Sequence, residues 1–307
     1  MSWTARNIPD QSGRTAVVTG ANSGLGFVAA RELAQRGARV VLACRSEPRG
    51  QEALERLACE LPEAASRTEL RLLDLADLGS VRTFAKELPD ERIDLLVNNA
   101  GVMALPYRRT ADGFETQFGV NHLGHFALTG LLLDRLLTAG KPRVVTVSSM
   151  LHALANIDMG DLNCERSYRR WIAYARSKTA NLLFVRELAR RTAGTALVAA
   201  AAHPGYASTN LQARGARMEG RRAAQRFFEA GNRLVAQSAD AGALPVLYAA
   251  TAPGVRTGSF TGPRLVSRGA PAPSWQAPWT RSDAAAERLW VASEQLTGVS
   301  FGEREHR

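Results

Sequence analysis

The sequence predicts an α/β fold: one doubly wound parallel sheet of about seven strands, with helices on both faces, in a single domain over 1–307. Short runs rich in Val, Leu and Ala, such as "RTAVVTG" (14–20) and "PRVVTVSS" (142–149), alternate with longer helical patterns. Such runs are apolar at consecutive positions, which is how a strand reads when helices bury both its faces. The first run also leads through a glycine-rich turn straight into a helix, as in nucleotide-binding βα units. No internal repeat, low-complexity tract or linker divides the chain.

The elements follow in order. Strand 14–20 precedes an amphipathic helix at 25–37 that ends on a glycine cap, and strand 38–44 precedes a helix at 47–61 that stops before Pro62. Strands at 68–75 and 92–100 flank a helix at 77–88, and a long helix spans about 112–138. After strand 142–149 comes a helix over about 170–192, then strand 195–205. Helical patterns at 206–235 and 238–250 and a short last strand at 257–262 complete the sheet. The Pro-rich stretch 271–278 reads as a surface loop leading to a C-terminal helix, within an extension over 263–307.

Composition narrows the classes. Hydrophobic content of 45% and charged content of 22% are ordinary for a globular protein. The apolar run near 126–133 is too short to span a membrane, and the first residues carry no apolar leader core. Cys44, Cys59 and Cys164 form an odd set without C-x-x-C spacing, so a reducing, cytoplasmic setting is expected. The net charge of +10 raises nucleic acid as a partner, yet 36 of the 39 basic residues are arginines, scattered except over 214–226, and no nucleic-acid motif accompanies them. A general arginine bias explains the charge, and no nucleic-acid partner is expected. No His, Cys or carboxylate cluster has metal-site spacing.

The turn "TGANSGLG" (19–26) places glycines at 20, 24 and 26 between strand and helix. Glycine lets backbone N–H groups approach a phosphate, and the helix N-terminus supplies free donors and a favourable dipole. Its G-x-x-x-G-x-G spacing, with "NNAG" (98–101), "YARSK" (174–178) and "HPGYAST" (203–209) in order, resembles the short-chain dehydrogenase/reductase (SDR) family over about residues 12–262. That resemblance implies a Rossmann fold and an NAD(P) cofactor. The cofactor would lie against Gly20, Asn22, Ser23, Gly24, Leu25 and Gly26 of the loop, Asn99, Ala100 and Gly101 of "NNAG", and Pro204 and Gly205. Asp74 and Leu75 resemble the pair that borders the adenine, and Thr209 the hydroxyl that orients the nicotinamide carboxamide. At the end of the second strand, Cys44 stands where an NAD enzyme carries an acid, and Arg45 follows. A guanidinium suits a 2′-phosphate, so NADP(H) is favoured over NAD(H).

Tyr174 and Lys178 lie four residues apart on one helix face, where an ammonium favours the phenolate of its neighbour. A phenol tuned towards neutrality would exchange a proton in either direction of hydride transfer. The resemblance implies that role for Tyr174, with Lys178 tuning it and binding the nicotinamide ribose. It also implies a strand-end serine as second donor to the substrate oxygen; Ser149 is preferred to Ser148. Asn121 matches the helical asparagine that anchors a proton-relay water, while His122 and His125 read as packing residues. Ser149 and Tyr174 are 25 residues apart, roughly twice the spacing of the plainest members. This insertion and "YARSKTANLLFVRELA" (174–189) are similar to the branch with retinol dehydrogenases and WW-domain oxidoreductases, without WW modules or a membrane anchor.

Residues 206–235 coincide with the family's variable substrate lid and mix Leu211, Met218, Phe227, Phe228 and Leu234 with arginines. A solvated lid with its apolar face on the pocket is preferred to one resting on a membrane. Either way, a lipophilic alcohol or carbonyl substrate is expected, retinoid-, steroid- or lipid-like. The alternative is a catalytically weak NADP(H)-binding sensor or protein-interaction module on the same fold. Family habit suggests a homodimer or homotetramer pairing through the helices near 112–138 and 170–192.

Overall fold

A computed structural model describes residues 2–205 and 238–302, so the expected lid at 206–235 and Thr209 lie outside the described residues. The strands are β1 (Thr15–Thr19), β2 (Arg39–Cys44), β3 (Thr68–Leu72), β4 (Leu95–Asn98), β5 (Arg143–Val147), β6 (Val198–Ala202), β7 (Phe260–Pro263) and β8 (Pro271–Pro273). They form one sheet in the order β3-β2-β1-β4-β5-β6-β7-β8. The first seven run parallel and β8 pairs antiparallel to β7. The described helices are α1 (Gly24–Gln35), α2 (Glu47–Glu60), α3 (Leu78–Glu87), α4 (Thr116–Phe118), α5 (Gly124–Leu137), α6 (Arg170–Arg191), α7 (Ala239–Thr251) and α8 (Asp283–Thr297). This is the doubly wound α/β architecture expected from the sequence.

Strand residues alternate between two cores. Val17, Val41, Leu96, Val144 and Ala199 share one with residues of α3, α5, α6 and α8. Ala16, Val18, Val40, Leu42, Val145 and Ala200 share the other with α1 and α7. Being covered on both sides makes the strands apolar throughout. The winding reverses between β1 and β4, which opens a crevice beyond their carboxyl ends, where ligands bind in such sheets.

Two expectations are corrected. The stretch 271–278 is not wholly a loop, because Pro271–Pro273 forms the eighth strand. Two prolines suit an edge strand, since they leave fewer N–H groups to recruit a further strand. The helix expected over 112–138 begins at Thr116, where the buried Glu115 side chain accepts hydrogen bonds from Gln117 and Phe118 N–H. It then widens into a π turn over Gly119–Leu123 before α5. Such bulges gather at functional sites, and Asn121 lies at the centre of this one.

Candidate active site

The glycine loop leaves β1 at the crevice. Gly20 holds φ +65°, and a Cβ there would press within 3.0 Å of Ala100. At Gly26 a Cβ would come within 2.5 Å of Asn99 Nδ2 and the Gly20 carbonyl, so the loop closes against "NNAG" only with glycines. Ser23 precedes α1 in extended conformation and makes no side-chain cap, which leaves the first-turn N–H groups of the helix directed at the crevice. Asn22, Ser23 and Gly24 are half-buried along the loop and Leu25 is buried beneath it. These features fit a pyrophosphate.

Cys44 does not stand in for the missing acid. It is buried, its sulfur takes hydrogen bonds from the Ala21 and Asn22 backbone, and burial pushes its thiol up to about 11. It therefore braces the glycine loop. Arg45 is exposed beside it with no hydrogen bond or ion pair to any described residue. Asp74 accepts the Ala76 N–H at 2.9 Å, and Leu75 is buried with its carbonyl against Gly124.

One threonine ties the two cofactor motifs together. Thr19 Oγ1 accepts the N–H groups of Asn99 and Ala100, each at 2.9 Å, while Asn99 Nδ2 donates to the Thr19 carbonyl at 2.8 Å. Thr19 Oγ1 also lies 2.9 Å from His125 Nε2, and His125 Nδ1 lies 3.1 Å from the Asn121 carbonyl. A carbonyl only accepts, so Nδ1 carries the proton and Nε2 accepts from Thr19. Burial pushes His125 and His122 down to about 3, which keeps both neutral. His122 packs against Phe118 and bonds Ser293, as a packing residue should; His125 positions the "NNAG" turn as well.

The Asn121 side chain is a clamp. Its Oδ1 accepts Val102 N–H at 2.8 Å, and its Nδ2 donates to the Val102 carbonyl and to Ser177 Oγ, both at 2.9 Å. Ser177 in turn donates to the Tyr174 carbonyl at 2.7 Å. "NNAG", the π turn and α6 are thus locked together, and a side chain at Gly101 would come within 3.1 Å of Asn121 Oδ1 and 3.6 Å of Lys178 Nζ.

The two serines after β5 have separate tasks. Ser148 is buried and donates to the Lys178 carbonyl at 2.8 Å. Ser149 is half-buried, accepts Leu151 N–H at 3.2 Å and hydrogen-bonds the Tyr174 phenol. The geometry therefore brings Ser149, not Ser148, to the tyrosine. Lys178 Nζ donates to the Val147 carbonyl at 3.0 Å and sits 5.7 Å from the Tyr174 ring centroid. Burial acts on both groups of the pair. Burial pushes the Tyr174 phenol up to about 12, with the Ser149 hydrogen bond opposing, and burial drives Lys178 down to about 8.

The insertion between Ser149 and Tyr174 returns in an ordered way. Met150–Leu154 forms a short 3₁₀ helix. Thr179 Oγ1 donates to the His152 and Ala155 carbonyls, and Asp161 accepts the N–H groups of Glu165 and Arg166. Tyr168 then donates to the Leu105 carbonyl at 2.7 Å, bringing the chain back to α6.

Two histidines that the sequence reading gave no role brace this edge. His152, fully buried, accepts Ala277 N–H at Nε2 and so donates from Nδ1 to the Ser149 carbonyl at 2.6 Å. His203 accepts Gly205 N–H at Nδ1 and donates from Nε2 to Ser274 at 2.8 Å. Only their nearness to Ser149 and "PG" marked them in the sequence. Gly205 and Pro204 leave β6 at this edge; Thr209 lies beyond the described residues.

Comparisons with known proteins agree with this geometry. The short chain dehydrogenase family model matches residues 14–220. Human retinol dehydrogenase 12 is 41% identical over 291 residues, covering 94% of this chain and 88% of that protein. Human retinol dehydrogenase 14 is 49% identical over 212 residues, covering 65% of this chain and 63% of its own length. A crystal structure of an uncharacterized protein from Mycobacterium paratuberculosis superposes with a TM-score of 0.82 at 45% identity, covering 99% of this chain and all of that one. A Beutenbergia cavernae protein, described as an NAD(P)-dependent gluconate 5-dehydrogenase with NADP bound at low occupancy, superposes with a TM-score of 0.62 at 28% identity, over 82% of this chain and 96% of its own.

Proposed function

The chain belongs to the short-chain dehydrogenase family, and we propose that it is an NADP(H)-dependent oxidoreductase that interconverts a lipophilic alcohol and its ketone or aldehyde. The carrying observation is the hydrogen bond between Ser149 and Tyr174 above the buried Lys178, at the same sheet edge as the glycine loop. The Ser149 hydroxyl lies within hydrogen-bond reach of the Tyr174 phenol, so a substrate oxygen bound beside both would be held by two donors while charge develops on it. Tyr174, protonated at neutral pH, gives its proton to that oxygen in reduction and takes it back in oxidation.

The residues present fit the dinucleotide. Gly20, Gly26 and the open first turn of α1 suit its pyrophosphate, Asp74 and Leu75 its adenine, and the unpaired Arg45 a 2′-phosphate. When bound, it supplies or accepts the hydride. A lipophilic substrate is supported by the apolar residues of 206–235 in the sequence and by the likeness to retinol dehydrogenases.

We further infer that the chain does not pair through α5 and α6. α8 already lies on that face: Trp290 is buried there, stacked 5.8 Å from Phe184 and edge-on to Phe126 at 5.0 Å.

The test of the reaction is NADPH oxidation with a panel of ketones and aldehydes, run beside Tyr174→Phe. Wild type should turn over lipophilic carbonyls and the variant should bind NADPH without turnover. Activity confined to small polar carbonyls would sink the substrate class. NADPH binding with no substrate faster than on Tyr174→Phe would make the chain a cofactor-binding sensor instead.

A further inference from the structure

We propose that the tip of the β7–β8 hairpin, Arg264–Arg268, docks the protein on an anionic lipid surface. The idea rests on the lipophilic-substrate reading above, since it would place the site beside the phase that holds such a substrate. Leu265 and Val266 are 63% and 56% exposed, adjacent in sequence, and more exposed than any other described large hydrophobic residue but Leu154. Val266 also holds φ +66°, a left-handed conformation that strongly disfavours a β-branched side chain. The tip is nonetheless fixed by backbone bonds from Arg264 to Ala270, Leu265 to Arg268 and Val266 to Pro263. An apolar pair is thus held out in water, on a strained backbone, with no described side chain covering it. Strain of this kind persists where function requires the geometry.

Charge selects the occupant. Arg264 and Arg268 flank the pair, exposed and without a hydrogen bond or ion pair from either side chain to a described residue. Between Asp240 and Asp283 the chain has four arginines and no acidic residue, and its net charge is +10. Apolar side chains rimmed by unpaired guanidinium groups match acyl chains beneath anionic headgroups.

Position gives the docking a use. Val147, Ala202 and Thr261 lie side by side in the sheet register. Pro263 is therefore level with Ser149, about 10 Å away across two strand spacings, and the tip projects beyond that level on the catalytic edge. Among the described residues no helix is long and apolar enough to cross a membrane, so the contact is an interfacial one.

The test is co-sedimentation of the full chain, without cofactor or substrate, with vesicles of phosphatidylcholine alone or mixed with phosphatidylglycerol. Wild type should sediment with the mixed vesicles at low salt, release on added salt, and ignore the neutral ones. Leu265→Ser and Val266→Gly should each weaken binding about tenfold, and Arg264→Ser or Arg268→Ser about fivefold. Val266→Gly should also raise the melting temperature, because glycine accepts the left-handed backbone; a purely structural tip would not combine higher stability with weaker binding. Binding retained in full by Leu265→Ser and Val266→Gly would assign the attraction to diffuse charge and overturn the proposal. So would equal binding to neutral vesicles, or no binding by wild type. No turnover is read, so failure here leaves the oxidoreductase reading standing, and failure of that reading leaves the vesicle result intact.

Discussion

Replacing Lys178 by Met should stabilise the fold at neutral pH while ending turnover. Lys178 is 4% exposed, with one hydrogen bond, to the Val147 carbonyl, and burial alone lowers it from 10.5 to about 8. At about 1.4 kcal/mol per pH unit, that shift means the buried ammonium costs roughly 3 kcal/mol at pH 7. Methionine is unbranched, of similar length and adaptable, and removes this cost. It loses one hydrogen bond, about 1 kcal/mol, but the Val147 carbonyl keeps the Asn181 amide at 3.0 Å and is not orphaned. The net gain is about 2 kcal/mol, or about 3 °C in melting temperature for a chain of this length.

The sign reverses with pH. Below about 8 the folded lysine is charged and its burial cost is present in full. Between about 8 and 10.5 the folded lysine is neutral while the unfolded chain still binds the proton, so wild-type stability rises relative to the variant. Above 10.5 only the lost hydrogen bond remains and wild type should be the more stable. Melting curves of both proteins across this range read the crossing directly. A variant less stable at pH 7, by an amount that does not change with pH, would refute the account of Lys178 as a desolvated cation.

Ser149→Ala should lower kcat about 10²–10³-fold with little change in melting temperature, whereas Ser148→Ala should cost about 1 kcal/mol of stability, from its bond to the Lys178 carbonyl, and leave kcat within a few fold. Arg45→Glu should raise KM for NADPH about 10–100-fold and lower it for NADH, measured by initial rates with both cofactors. With Tyr174 protonated up to about 12, carbonyl reduction should be flat from pH 6 to about 7.5 while alcohol oxidation climbs with pH. Trp290→Ala should cost about 3–5 kcal/mol in denaturant unfolding by emptying the α8 contact.

Parts of this arrangement were legible because they are local. The glycine loop, "NNAG" and the four-residue spacing of Tyr174 and Lys178 each sit at the end of a strand or on one helix face. The consecutive apolar strands likewise reveal burial on two sides. Other parts depend on partners distant in sequence. β6 reads as a strand from its unbroken apolar run, but "VAAAA" is poor by propensity, and what holds it is pairing with β5 and β7 and burial of both its faces. Pro271–Pro273 looks like a loop because prolines make few ladder bonds, yet as an edge strand it needs only one side. The π turn at Gly119–Leu123 keeps nearly the same apolar face as an α-helix, so periodicity does not reveal it.

The tyrosine shows most clearly where local reasoning stops. Spacing places a cation beside the phenol, and in water that neighbour would lower the pKa. Whether it does so in the protein depends on how much water both groups lose, and that is set from elsewhere. His152 pins the Ser149 backbone to Ala277, Asn121 and Ser177 draw α6 against "NNAG", and the insertion closes over Thr179. Each contact joins segments far apart in sequence, and together they bury Tyr174 and Lys178, so that desolvation pushes the phenol up and the ammonium down. The enclosure that raises the phenol also lowers the local dielectric around it, where its hydrogen bond to a developing oxyanion is strongest.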